Sequence, residues 1–225
     1  GATIVNNGSV GSETEFDYLF ASSNTQEGST VTVSSTDRTD SSFTRTETNT
    51  AIGSTASITI SEGASVSGFV EARGLESANV AIDGEVGNDT FNSNVVARSQ
   101  NNDFERTEIR TTIGSVSTTT ISEASTTIGG TASLSVGETG SVTGGVQAIG
   151  YAGADVELGG AVGTEANPSF VVASSRGTQS SFDQVNAFDN ATGESAFSQS
   201  SNSSDTGSDA SIVIGESAFV NGFVQ

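Results

Sequence analysis

Residues 56–70 read Ala56-Ser-Ile-Thr-Ile-Ser-Glu-Gly-Ala-Ser-Val-Ser-Gly-Phe-Val70. Ile58, Ile60, Ala64, Val66, Gly68, Val70 and Ala72 share one parity, and Ser57, Thr59, Ser61, Ser65, Ser67 and Glu71 hold the other, with Phe69 the exception. A period of two puts one set of side chains inward and the other in solvent, the mark of a half-buried strand. Thr, Ser, Gly and β-branched residues are mediocre or poor helix formers, and no apolar stripe of period 3.6 occurs.

The stretch recurs twice. Its second copy is Ala132-Ser-Leu-Ser-Val-Gly-Glu-Thr-Gly-Ser-Val-Thr-Gly-Gly-Val146, and its third is Ala210-Ser-Ile-Val-Ile-Gly-Glu-Ser-Ala-Phe-Val-Asn-Gly-Phe-Val224. Glu62, Glu138 and Glu216 form one column, Gly68, Gly144 and Gly222 another, and Gly53, Gly129 and Gly207 precede the three copies at equal distance. A second block reads Ala78-Asn-Val-Ala-Ile-Asp-Gly-Glu-Val-Gly87 and returns as Ala154-Asp-Val-Glu-Leu-Gly-Gly-Ala-Val-Gly163 and as Ala2-Thr-Ile-Val-Asn-Asn-Gly-Ser-Val-Gly11. The third segment of each unit is looser and more polar, with landmarks at Phe43, Phe104 and Phe182, and it carries the insertions and deletions, as loops or variable strands do.

These spacings divide the chain into a tail block of a preceding repeat at 1–11, repeat unit 1 at 12–87, repeat unit 2 at 88–163 and an incomplete unit 3 at 164–225, with a period of about 76 residues. Two all-β architectures suit small inward residues and a thin core. A β-solenoid is favoured, and the alternative is a string of small β-sandwiches sharing strands. The chain starts at Gly1 without Met, so it reads as a mature product or an excerpt.

At Ile60-Ser-Glu-Gly-Ala-Ser-Val-Ser-Gly-Phe-Val70 and Val80-Ala-Ile-Asp-Gly-Glu-Val-Gly87 the sequence resembles the rungs of bactofilins and of β-helical bacterial adhesins, repetitive surface and filament proteins. The resemblance implies a self-associating β-helix. It covers about a third of each unit, and the polar third segment and the lack of Lys depart from it.

Composition limits the chemistry. Hydrophobic residues make up 33% of the chain, too few for a thick core by the roughly 45–50% standard of globular domains. The net charge is −20 with seven Arg as the cations, which disfavours nucleic acid and anionic membranes as partners. No apolar run approaches the ~18 residues of a membrane-spanning helix. With no Cys and no His, disulfides, thiol catalysis, the usual triads and most transition-metal sites are out of reach. The absence of Cys and Met removes the sulfur targets of oxidation and suits an extracellular or cell-surface life.

No enzyme is expected. Glu62 and Glu138 are candidates for a glycosidase-like carboxylate pair, and their recurrence once per unit reads more simply as a solvated column of turns. Gly129–Ala132 lacks the Lys of a phosphate loop. No cofactor is expected. Calcium has a candidate site at Asp83, Asn88 and Asp89, residues that also serve as turn formers at a strand end. Thr118–Thr120 and Thr30-Val-Thr-Val33 suggest the Thr arrays of ice-binding surfaces, but no Thr ladder recurs at equivalent positions in the units. Asn-x-Ser/Thr sequons at Asn7, Asn88, Asn190 and Asn202 leave glycosylation open. Arg106 and Arg110 flank Glu105 and Glu108, and Arg38 lies between Asp37 and Asp40, which suggests exposed local ion pairs of small value.

The expectation that follows is a structural filament or surface-fibre protein that assembles head to tail by completing a split β repeat. Its partners are copies of itself or adjacent repeats of the same chain. The candidate assembly residues are Ala2, Ile4, Val10 and Gly11 at one end and Ile212, Ile214, Val220, Phe223 and Val224 at the other. The alternative is an adhesin stalk or a carbohydrate- or Ca²⁺-binding repeat module. A regular lectin array would place aromatics at matching loop positions, and Tyr18 and Tyr151 do not match.

Overall fold

A computed structural model of the chain describes residues 1–12, 14–36, 40–88 and 90–225, with only the backbone described at 26, 30–36 and 40. Arg38 and Asp89, the Thr side chains of Thr30-Val-Thr-Val33 and the Asp37 and Asp40 carboxylates therefore lie outside the described features. The fold is all-β. No helix occurs among the described residues and strand takes 71% of the chain, about three times the ordinary share.

The strands come in tiers of three. The first tier is β1 (Ala2–Asn6), β2 (Ser9–Val10) and the start of β3 (Tyr18–Thr36), which runs on outward and returns as β4 (Asp40–Gly53). The second is β5 (Thr55–Ile60), β6 (Ser65–Val66) and β7 (Phe69–Gly74). The third is β8 (Ser77–Ile82), β9 (Glu85–Val86) and β10 (Val95–Ser99), continued outward by β11 (Asn101–Ile113), with β12 (Val116–Ile128) returning. The fourth is β13 (Thr131–Val136), β14 (Ser141–Val142) and β15 (Val146–Gly150). The fifth is β16 (Gly153–Leu158), β17 (Ala161–Val162) and the start of β18 (Ser169–Asp189), with β19 (Ser195–Gly207) returning. The sixth is β20 (Ala210–Ile214), β21 (Phe219–Val220) and β22 (Gly222–Val224).

Corresponding strands of successive tiers pair in parallel. They form three six-stranded ladders with the same tier order: β1-β5-β8-β13-β16-β20, β2-β6-β9-β14-β17-β21, and β3-β7-β10-β15-β18-β22. In the first ladder Ala2, Ala56, Ala78, Ala132, Ala154 and Ala210 stack in one register. The two apolar blocks of the sequence are thus the same position in consecutive tiers, Ala56–Ile60 lying directly beside Ala78–Ile82.

The inward residues of all three ladders meet in one core. Ile58, Ile60, Ile82, Leu134 and Leu158 come from the first, Val66, Val86, Val142 and Val162 from the second, and Val70, Val95, Val146 and Val171 from the third. All are at most 2% exposed. Each inward Val, Ile or Leu fully removed from water contributes on the order of 1.5–3 kcal/mol, so a core one side chain deep holds the tiers despite the polar composition.

The polar third segments are not loops. They form long antiparallel hairpins, β3–β4, β11–β12 and β18–β19, and the hairpins pair with one another through β4–β11 and β12–β18. Polar residues occupy both faces of these hairpins. Since β3 and β18 each run through both the ladder and the outer sheet, the pairings of eight strands close on themselves as in a barrel: β3, β7, β10, β15, β18, β12, β11 and β4. The circuit has two storeys, with β7, β10 and β15 below and β4, β11 and β12 above.

Two glycine columns explain how the chain turns between these parts. Gly11, Gly87 and Gly163 have φ of +77°, +84° and +81°, a left-handed conformation that glycine adopts without penalty. Gly53, Gly129 and Gly207 lie where each hairpin rejoins the ladders. A Cβ there would collide with the carbonyl oxygens of Ser23, Ser99 and Ser175 respectively.

Candidate assembly faces

The inward columns show what a neighbouring tier does. Ile60, Ile82, Val136 and Leu158 stand side by side in one column and are at most 1% exposed, whereas Ile214, next in that column, is 48% exposed. Val70, Val95, Val146 and Val171 are fully covered, and Val224 beside them is 46% exposed. Ile212 and Val220 are partly buried against the core. The final tier therefore carries the core pattern without the cover that a further tier would provide. Along their outer edges, β20, β21 and β22 have no partner strand among the described residues.

The first tier is the complementary face. Ala2, Ile4 and Val10 are partly buried against the core, and among the described residues β1 and β2 each pair on one edge alone. Asn6 replaces the aliphatic residue of its column. It is nearly buried, its Nδ2 donates to the Ser65 carbonyl at 3.1 Å, and its Oδ1 accepts from the Gly8 amide at 3.1 Å. Gly11 closes the turn after β2, against Ser67 and the Glu15 carbonyl. The assembly candidates thus divide into two groups at opposite ends. The chain does not bring them together within itself; four tiers stand between.

Aromatic residues follow the same distribution. One outward row of the third ladder passes Tyr18, Phe69, Asn94, Gly145, Phe170 and Phe223 from first tier to last. Tyr18 and Phe69 meet edge to face at 5.9 Å, and Phe170 and Phe223 stack at 6.0 Å. Phe16 extends the first cluster to Tyr18 at 5.9 Å and to Phe91 at 5.6 Å. Within the row itself, rings occupy the two tiers at each end and neither of the two between. Tyr18 is 68% and Phe223 57% exposed.

The other candidates are scattered. Glu62, Glu138 and Glu216 sit on exposed turns, one in each of tiers two, four and six. Asn88 accepts the amides of Thr90 and Phe91 on its Oδ1, each at 2.8 Å, and so caps its own turn, while Asp83 is exposed. No cluster of three or more metal-ligating side chains occurs among the described residues. Asn7, Asn190 and Asn202 are exposed.

The Arg pairs differ from expectation in two respects. Arg106 pairs with Glu108 and with Glu123 across the strand, Arg110 pairs with Glu108, and Glu105 takes no part in these pairs. Neighbours along a strand point to opposite faces, so 106, 108 and 110 share one face and 105 lies on the other. Glu108 is buried beneath the two guanidinium groups rather than exposed.

Sequence reading missed the serines at the seam between ladders and hairpins. The Ser23, Ser99 and Ser175 hydroxyls accept the amides of Ser54, Gly130 and Ser208 at 3.1 Å each. Ser99 and Ser175 also donate to the carbonyls of Leu75 and Tyr151, both at 3.0 Å. Their equal spacing in the sequence was the available signal, submerged in a Ser-rich segment.

No family model matches the sequence, no curated protein matches it, and no solved structure matches its fold.

Proposed function

We propose that this chain is a structural protein of the cell exterior: a β-solenoid of tandem units of about 76 residues, two tiers and one hairpin each, that assembles head to tail into a fibre. The parallel pairing of all three ladders in one tier order supports the solenoid over a string of sandwiches, whose sheets are antiparallel. Tier offsets of 22 residues alternate with offsets of 54 or 56, in keeping with a two-tier unit.

The observation that carries the assembly reading is the exposure of Ile214 and Val224 in columns otherwise buried. A tier laid on them, from a second copy or from an adjacent repeat of the same chain, would remove this apolar surface from water and satisfy the open backbone edges. A heterologous contact that does not close into a ring propagates as a filament. The net charge of −20 and the absence of Cys and Met suit a soluble, oxidation-tolerant polymer outside the cell.

Negative-stain imaging with mass determination tests the proposal. Ordered fibres that disappear when Ala2–Gly11 is deleted are the expected result. A monodisperse monomer over a range of concentration and salt would overturn it.

A further inference from the structure

We infer that the outer antiparallel sheet is a second assembly surface, and that a second copy of the chain joins this one through ladders and outer sheet at once. The inference rests on the head-to-tail reading and specifies its geometry.

The two layers share one lattice. Each hairpin leaves from one tier and returns to the next, so six outer strands stand over six tiers. A two-stranded hairpin spans two strand spacings, and two tiers supply the same two, about 4.8 Å each. A copy placed on tier six therefore also brings its β3 beside this copy's β19. β19 runs toward the ladders and β3 away from them, the same antiparallel relation as in β4–β11 and β12–β18.

The register follows from the pairs already made. Extending β4–β11 and β12–β18 to the seam places Gly53 opposite Gln100 and Gly129 opposite Arg176. Gly207, next in that column, then faces Asn24 of the second copy, and Asn202 faces its Ser29. In the ladders, Ile212 lies on its Ile4, Val220 on its Val10 and Val224 on its Leu19. Phe223 meets its Tyr18, so the two aromatic pairs now at opposite ends join into one row of four rings.

The occupant is a copy of this chain because a partner must match the tier spacing and offer a strand at the offset of the outer sheet. Two of the usual edge defences are missing. Sheets that avoid edge pairing carry Lys or Pro on their edges, but this chain has no Lys, and its single Pro, Pro168, lies outside every strand. β19 is exposed along almost its whole length, Phe197 at 63% included.

Because the chain has no Cys, disulfide trapping reads the register directly. The variant Thr3→Cys with Ser211→Cys reports on the ladders. The variant Ser29→Cys with Asn202→Cys reports on the outer sheet. All four positions are exposed, and each pair is too far apart to close within one chain. Both variants should give covalent ladders of oligomers on non-reducing gels. Ser29→Cys with Ser200→Cys, two residues out of register, should give about tenfold less, because Cα atoms beyond ~7 Å are not bridged. Ladders from the first variant with only monomer from the second would overturn this inference and leave the head-to-tail reading standing. Monomer from both, with no fibres by imaging, would remove both.

Discussion

The Ser99 hydroxyl, fully buried, accepts the backbone amide of Gly130 at 3.1 Å, joining the strand that leaves the ladders to the one that re-enters them. The same hydroxyl donates to the Leu75 carbonyl at 3.0 Å. One oxygen thus ties three segments at the seam between two sheets. Ser99→Ala leaves a half-buried amide and a half-buried carbonyl short of a partner, and should cost about 1–3 kcal/mol. Urea unfolding checks this, with Ser198→Ala, on exposed β19, changing stability by less than about 0.5 kcal/mol.

Gly53 makes the seam from the other side. Gly53→Ala forces a methyl into the Ser23 carbonyl oxygen, a backbone atom that cannot step aside. A loss of roughly 3 kcal/mol or more is expected, in the class of backbone strain. Gly28→Ala, whose Cβ would meet nothing closer than 3.8 Å, is the control and should be close to neutral. Thermal unfolding of the two variants separates a steric requirement from mere loss of glycine flexibility.

The tier columns predict a gradient along the molecule. Ile82→Ala, in the fully covered part of its column, should cost about 2–5 kcal/mol. Ile214→Ala should cost the isolated chain well under half of that, since half its surface is already in water. In fibres the two costs should draw closer, because Asn6 of the neighbouring copy, which holds this column in the first tier, would stand over Ile214. Equal costs in the isolated chain would contradict the open end.

How much of this was readable in advance depended on where apolar residues fall. The parity of Ile58, Ile60, Val66 and Val70 marked their inward face, and the Gly53, Gly129 and Gly207 column was visible because glycine is conspicuous. The stacking of Ala56–Ile60 on Ala78–Ile82 was present in the shared Ala-x-β-x-β pattern, yet the larger period masked it. The hairpins were read as loops or variable strands because polar residues on both faces leave no hydrophobic alternation to detect. The aromatic row could not be seen at all, since Tyr18, Phe69, Phe170 and Phe223 become neighbours only through tier register.

Acidity should oppose assembly. With a net charge of −20 and a pI near 4.1, copies repel at neutral pH. Fibre formation should accelerate with added salt, as exposed charges are screened over about 10 Å at 0.1 M, and as pH falls toward the pI. Light scattering against salt and pH checks the direction; a rate that falls with salt would contradict it.

One hairpin tip has its own pH response. Asp189 is held below the usual aspartate range, first by the Ser115 hydroxyl and then by the Ala191 amide at 2.9 Å. A depressed carboxylate stabilises the fold above the unfolded-state pKa, and that contribution is lost as pH falls through the lowered folded value. The turn at 190–194 should therefore loosen as pH falls below the usual aspartate range, seen as a shift of the Ala191 amide resonance. Asp189→Asn should loosen it at neutral pH while the ladder resonances stay unchanged.

The measurement that reaches the central claim most directly is cryo-electron microscopy of the assembled chain, reading the axial advance per copy. Six tiers continued by six more predict strands perpendicular to the fibre axis and an advance of about 29 Å, six spacings of ~4.8 Å. Fibres with a different advance, or with copies meeting side by side and the faces at Ile214 and Ile4 left in solvent, would contradict it.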